Sequence, residues 1–360
     1  MASKIEMKKA AIFLAIVLFA STAFGQEGAL TQTEYVKMLY ALQKSPASKQ
    51  EIVDAVRKRG IAFVLTDGLR TLTSSKAGND DDLKRALEEA DRRRSNPAGA
   101  QLPSPKDAAV VLEQARKNTL EAVGEMPDFV VKQQIQRSWA FAGTGNFKNL
   151  DRLVVAVSYR STGEEDYRVL STNGILNTDP KPKQSYEETG GTSSTGEFVT
   201  MLATVFKPES ETKFDIVDTD VIRNRKSIVY EFSVTKDKAK QVITSAGRTG
   251  SDSTITGMKG RVWIDRESSR VLRIESEATE IPESFQVRSA KRVIDYDWVT
   301  ITDGKYLLPS ISDVRLTSRE SSQVFETRNV IRFKDYQKYG TEVVIRDDDV
   351  QPETTPQKPR

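Results

Sequence analysis

The sequence contains no cysteine and no histidine. Without cysteine there is no disulfide framework, no thiolate nucleophile, no iron–sulfur cluster and no thiolate zinc site. Without histidine there is no Ser-His-Asp or Cys-His catalysis, no imidazole metal ligand and no proton shuttle poised near neutral pH. A dominant charge is also lacking: 54 Lys+Arg stand against 51 Asp+Glu, a formal +3 over 360 residues. That balance gives no basic footprint for nucleic acid. These absences exclude most common hydrolase and metalloenzyme designs. They predict a chain that is not an enzyme and holds no cofactor and no metal.

The longest apolar run, Ala10 to Ala20, is shorter than the about 20 residues a spanning helix needs. Lys4, Lys8 and Lys9 precede it, and Ala23-Phe24-Gly25 follows with small residues at the cleavage-defining positions. Residues 1–25 therefore read as a cleaved Sec-type signal peptide, which predicts a periplasmic or secreted protein with no transmembrane span in the mature chain. Gln26 stands where a bacterial lipoprotein carries Cys. An exported chain without disulfides must be stabilised by its core, which suits a bacterial periplasmic protein of this length.

Residues 26–94 read as a helical module. Thr31 with Glu34, and Ser48 with Glu51, fit capping boxes. Tyr35, Val36, Leu39, Tyr40 and Leu42 recur at helical spacing, as do Ile52, Val53 and Val56 before Gly60. Asp80 to Asp82 open a last helix carrying Leu83, Ala86, Leu87 and Ala90, with Arg92 to Arg94 at its other end. Residues 95–104, SNPAGAQLPS, are a linker by composition. Ser104 and Pro105 then supply an N-cap and a first-turn proline for a helix to about Val123.

From Phe129 the apolar period changes from helical to two. Phe129, Val131, Ile135, Trp139 and Phe141 share one face of an extended run. Leu153, Val155, Val157 and Tyr159 repeat the pattern, as do Ile228, Tyr230, Phe232 and Val234. Further strands are expected at 166–171, 213–219, 240–245, 259–265, 270–280, 286–300, 305–316, 323–334 and 341–346, with Thr302-Asp303-Gly304 as a turn. This is mainly β structure, an antiparallel sheet or barrel within residues 105–346, because no crossover helices alternate with the strands. One helix interrupts it: the loop Gly190 to Gly196 precedes Phe198, Met201, Leu202, Val205 and Phe206, and Pro208 stops it. Residues 347–360 read as a disordered tail.

The candidate sites follow from these placements. The Gly-rich loop has no following Lys-Ser/Thr pair and is no Walker loop; it reads as a connection with a Thr or Ser cap. Glu275 with Glu277, and Asp295 with Asp297, are carboxylate pairs on one strand face. Such pairs can serve glycoside hydrolysis, but the bland reading is a solvated sheet face among Arg270, Arg273, Arg288, Lys291 and Arg292. Asp218 and Asp220 lack the Gly-spaced loop and closing Glu of a Ca²⁺ site. The helix after Gly196 must bury one side, either as plain core or as a lid over an apolar cavity. Trp139, Tyr159, Trp263 and Trp298 face the same choice.

Gly260-Arg261-Val262-Trp263-Ile264-Asp265, a short turn and Val271-Leu272-Arg273-Ile274 resemble a hairpin of the lipoprotein-carrier-like (LolA/LolB-like) family of periplasmic lipid or lipoprotein binders. The resemblance implies an open antiparallel half-barrel, here of about 11–12 strands, whose concave apolar face is closed by helices. Met126 to Ile345 is also similar to an uncharacterised exported family common in Acidobacteria, through Met126-Pro127-Asp128-Phe129, Ser185-Tyr186-Glu187-Glu188, Ser194-Thr195-Gly196-Glu197-Phe198, Ile294-Asp295-Tyr296 and Leu307-Leu308-Pro309. Residues 30–93 lie outside that match and, through Val56-x-x-Arg59-Gly60-Ile61-x-Phe63-x-Leu65-Thr66, resemble short helical modules attached to varied bacterial proteins.

The expectation is thus an exported, non-catalytic binder of a lipid, acyl chain or lipoprotein, in which Phe198, Met201, Leu202, Val205, Phe206, Trp139, Tyr159, Trp263 and Trp298 line the apolar face under a lid helix. The alternative is an envelope scaffold with a filled β core and a protein partner bound through residues 30–93.

Overall fold

A computed structural model describes residues 28–45, 48–177, 192–247, 250–320, 322–341 and 343. The proposed signal peptide, Ser185 to Glu188, Gly190, Gly191 and the proposed tail lie outside them. The first helices are α1 (Gln32–Ala41), α2 (Lys49–Arg59), α3 (Asp67–Ala77) and α4 (Asp81–Ser95). At α1 the capping box forms as the sequence predicts: the Thr31 side chain accepts from the Glu34 N–H, and the Glu34 carboxylate accepts from the Thr31 N–H. The Thr31 N–H and hydroxyl, both donating to the Glu34 carboxylate, and Arg59 pull that carboxyl down to about 2. Thr31→Ala removes a cap and is expected to lower stability by about 1 kcal/mol, read from urea unfolding. The second predicted box does not form. Ser48 sits at ψ 4, outside the extended region a capping side chain needs, and its hydroxyl bonds Ser45 instead.

The four helices enclose a core of their own. Leu30, Tyr35, Leu39, Ile52, Val56, Leu83, Leu87 and Ala90 belong to one buried cluster that contains no residue beyond Ala90. The Tyr35 ring lies tilted against Phe63 with centroids 5.5 Å apart, and its hydroxyl shares a hydrogen bond with Thr73 at 2.7 Å. Residues 96–104 have no regular structure before α5 (Pro105–Gly124), whose N-cap Ser104 accepts from the Asp107 N–H.

The rest is β: β1 (Phe129–Phe141), β2 (Lys148–Tyr159), β3 (Glu165–Thr172), β4 (Ile175–Leu176), β5 (Lys213–Ile222), β6 (Arg225–Val234), β7 (Gln241–Gly247), β8 (Gly250–Asp265), β9 (Val271–Thr279), β10 (Val287–Ile301), β11 (Gly304–Glu320) and β12 (Gln323–Lys338). Two short helices, α6 (Thr200–Phe206) and α7 (Lys236–Ala239), interrupt it. The strands form one antiparallel sheet in the order β4-β3-β2-β1-β12-β11-β10-β9-β8-β6-β5, an open half-barrel with β4 and β5 at its edges. Sequential strands pair as antiparallel neighbours except at β4–β5, which lie at opposite edges, and β6–β7, and the β1–β12 pairing, Phe129↔Lys338 to Phe141↔Phe325, closes the long-range order. β8 is longer than its partners in the main sheet. Its first part, Gly250 to Thr256, pairs only with β7, so this hairpin projects from the sheet.

Period-two alternation gives the sheet two unlike faces. Met258, Val262, Ile264, Ile274, Ile294 and Tyr296 point to an apolar face, where they pack with Ala108 and Ala115 of α5 and with Met201, Leu202, Val205 and Phe206 of α6. A second apolar cluster on β1, β2 and β12 contains Phe129, Ile135, Val155, Tyr159, Ile331, Phe333 and Phe198. Arg261, Arg273, Glu275, Lys291, Asp295, Asp313 and Arg315 point to the opposite, charged face, and α2 and α4 lie over it. The edge strand β5 is shielded by α4, whose Arg92 and Arg93 pair with Asp220 and Asp218.

Two expected boundaries move. The inserted helix begins at Thr200, not near Gly196, because Gly196 takes φ 78 and Val199, its N-cap, has no side-chain acceptor. No strand is present at Thr341 or Val343, the described residues of the predicted 341–346 segment.

Candidate functional site

The apolar face is crossed by a strap, Thr192 to Val199, that leads into α6. Its anchors come from three strands. Thr192 shares a hydrogen bond with Thr327 of β12 at 2.6 Å, and its carbonyl accepts from Asn329 at 2.5 Å. Arg292 of β10 donates to the Thr195 carbonyl at 3.2 Å, and the Gly196 N–H donates to Glu165 of β3 at 3.1 Å. These bonds tie the strap leading into α6 to β12, β10 and β3.

A cavity of about 710 Å³ remains between the strap, α6, the β7–β8 hairpin and strands β10 and β11. Its apolar wall is Met201, Ile243, Met258, Ala290, Val314 and Leu316. Val242 at its hairpin edge is 62% exposed. Ser194, Glu165, Tyr167, Lys240 and Arg292 supply a polar rim. Burial pushes the Glu165 carboxyl up, with the Glu197 carboxylate adding to the effect. The size, and a lining that sets one apolar wall against a larger polar surface, suit a small amphiphile.

Behind the strap lies a buried polar cluster. Ser194 donates to Glu197, which is fully buried and whose second oxygen has no hydrogen-bond partner among the described residues. The Tyr296 hydroxyl is buried and equally unpartnered, while Tyr336 donates to the Pro309 carbonyl at 2.7 Å. Burial raises both phenols, and the Glu197 charge adds to that. Both remain neutral donors at any physiological pH.

The nine sequence-predicted lining residues are not brought together. Met201 alone among them lines the cavity. Leu202, Val205 and Phe206 are packed in the cluster with α5, and Phe198 and Tyr159 in the cluster around Phe129. Phe198 meets the rings of Phe129, Tyr159 and Phe333 at 5.3–6.0 Å. Trp139 is half-buried beside Phe141 and Phe325. Trp298 is 44% exposed. Trp263 lies on the charged face, where its indole N–H donates to Asp220 at 3.1 Å between Arg261 and Arg273. Parity explains the last case: Trp263 is one residue out of step with Val262 and Ile264, which face the apolar side. The cavity residues that sequence reasoning missed, Ile243, Met258, Val314 and Leu316, sit on three strands, β7, β8 and β11. Their only signal was strand alternation, which does not say which strands share a wall.

The carboxylate pairs also resolve. Glu275 is not solvated: α2 and α4 cover it, and Arg57 and Arg85 pair with it at 3.2 and 3.0 Å. Arg273 holds Asp295 by two bonds of 2.9 Å. Glu277 is 3.9 Å from Lys259, and the Asp297 carboxylate accepts from the Trp298 N–H. Asp218 and Asp220 are taken by Arg93, Arg92 and Trp263. Among the described residues no group of three or more acids is placed to hold a metal ion, and no helix is long and apolar enough to cross a membrane.

No protein-family model matches the chain, and no curated protein matches it. Among solved structures it is similar to a DUF1329 family protein from Desulfovibrio piger, with a TM-score of 0.26 and 8% identity over 67% of this chain and 97% of that one. It is also similar to a chain of the Pseudomonas aeruginosa MucA/MucB complex, with a TM-score of 0.17 and 9% identity over 62% of this chain and 94% of that one. Likeness this slight assigns the chain no family, ligand or partner.

Proposed function

We propose that this chain is an exported, non-catalytic binder of an acyl chain or lipid, held in the cavity between α6 and the β7–β8 hairpin. The observation that carries the reading is that cavity: about 710 Å³ on the apolar face, walled by Met201, Ile243, Met258, Val314 and Leu316. Two methionines give the wall a compliant surface that can follow an alkyl chain. Each methylene removed from water there contributes about 0.8 kcal/mol. Lys240 and Arg292 at the rim can meet an anionic headgroup. The exported location rests on residues 1–25 and on their reading as a signal peptide.

The test is uptake of a fluorescent fatty acid by the native chain and by Leu316→Asp. Leu316 is half-buried and its side chain reaches the cavity, so the variant is expected to fold. A charge in the apolar wall is expected to weaken binding by about tenfold or more. Equal binding by both proteins sinks this site.

One observation favours the scaffold reading instead: α5 and α6 fill most of the apolar face, and eight of the nine predicted lining residues lie outside the cavity. On that reading the native chain takes up no fatty acid at all.

A further inference from the structure

Apart from the backbone contact of Gly78 with the Thr144–Gly145 loop, the helical part and the sheet meet mainly through charges. The core of α1 to α4 ends at Ala90 and includes no residue of the sheet. Across the boundary, Asp81 pairs with Arg315 and with Arg328, and Asp82 pairs with Lys291 at 3.0 Å. Arg57 and Arg85 hold Glu275, and Glu89 meets Arg261 at 3.4 Å. Arg92 and Arg93 hold Asp220 and Asp218. The pattern along α4 is ordered: acids at its start lie on the basic strands β10 to β12, and arginines at its end lie on the acidic edge strand β5.

An interface of this kind is weak for its size. Each ion loses hydration on docking, and the Coulombic attraction roughly offsets that loss. Several pairings are imperfect: Arg57 Nε, Arg93 Nη2, Arg261 Nε and one Glu89 oxygen are buried without hydrogen-bond partners among the described residues. A cavity of about 370 Å³ remains inside the interface, lined by Arg57, Arg85, Arg261, Glu275, Lys291 and Arg315 among others. Solvent reaches part of the contact, since the side chains of Arg92, Lys291 and Arg328 are 37%, 34% and 27% exposed. The helices keep their own apolar core when they leave, and residues 96–104 remain as the tether.

We propose that residues 28–95 form an electrostatic latch over the charged face of the sheet, released as a folded unit by ionic strength, and that its release opens the ion-lined cavity beneath α2 and α4. Salt screens the exposed parts of the contact and stabilises the separated charges. An apolar interface would respond in the opposite sense, tightening or holding as salt rises.

Trp263 reports on the latch. It is fully buried on the charged face, and its partner Asp220 is clamped by Arg92 of α4 at 2.8 Å. The experiment uses the full chain with Trp139→Phe and Trp298→Phe, which leaves Trp263 as the single tryptophan of the three. Acrylamide quenching, small-angle scattering and far-UV circular dichroism are followed from about 0.05 to about 1 M NaCl, a range over which the screening length falls from over 10 Å to about 3 Å. The expected result is at least a threefold rise in the quenching constant and a larger radius of gyration, with the circular dichroism unchanged. Asp81→Asn with Asp82→Asn is expected to move the transition to lower salt. A constant quenching and radius through 1 M NaCl overturns the proposal. So does a rise in quenching without a change in radius, which is a local opening, or a loss of circular dichroism, which is unfolding.

Discussion

Phe206→Ala is expected to lower the unfolding free energy by about 3–5 kcal/mol, the range for deleting a fully buried aromatic ring. Phe206 closes α6, is fully buried, and packs on Phe214 with ring centroids 5.7 Å apart. Its cluster joins α5, α6 and strands β6, β8, β9 and β10. The cavity left by the ring cannot collapse easily, because α6 is fixed at one end by the strap and at the other by the turn at Pro208–Ser210. A domain of ordinary stability holds about 5–15 kcal/mol in total, so the loss is a large share. Urea unfolding followed by circular dichroism measures it. A cost under about 1 kcal/mol would mean that α6 is a loosely seated lid, not part of the core.

Gly145→Ala is expected to displace the α3–α4 turn from the β1–β2 loop. Gly145 takes φ 64, and a Cβ there would lie 1.1 Å from the Gly78 carbonyl oxygen. Gly78 is itself at φ 66, with its own Cβ position 2.4 Å from the Thr144 carbonyl oxygen. Both neighbours are backbone, so neither can turn aside. Gly143 is the internal control: it has φ 78, but a methyl group added there would meet nothing within 4 Å. Gly143→Ala should cost only the left-handed backbone strain, about 1–2 kcal/mol. Gly145→Ala should cost at least about 2 kcal/mol more, as overpacking does. It should also speed amide exchange at Asn79. Equal costs for the two variants would show that the loops do not touch.

Much of this fold was legible because the signals are local. The Thr31–Glu34 box, the Ser104-Pro105 start of α5 and the alternation from Phe129 to Phe141 each need only a few neighbouring residues. The strand after Gln241 was equally visible, but its role was not. That β7 leaves the sheet with the first half of β8 depends on where β9 and β6 stop pairing, which no local pattern records. The site was less legible than the fold. An apolar helix such as α6 announces that it will be buried, and the predicted Phe198, Met201, Leu202, Val205 and Phe206 all are. It does not announce which one of them, Met201, borders empty space. Sequence placed Glu275 and Asp295 on charged strand faces but could not show that a separate helical unit, with its own core, brings the opposing charges.

The central claim is that the cavity beside α6 holds an acyl chain or lipid. Native mass spectrometry of the chain purified from the cell envelope of its expressing host, with solvent extraction of whatever is bound, tests it most directly. A discrete lipid-sized adduct in near-stoichiometric amount, lost in Leu316→Asp, is the predicted result. A clean apo mass that stays unchanged when fatty acids and phospholipids are added contradicts it.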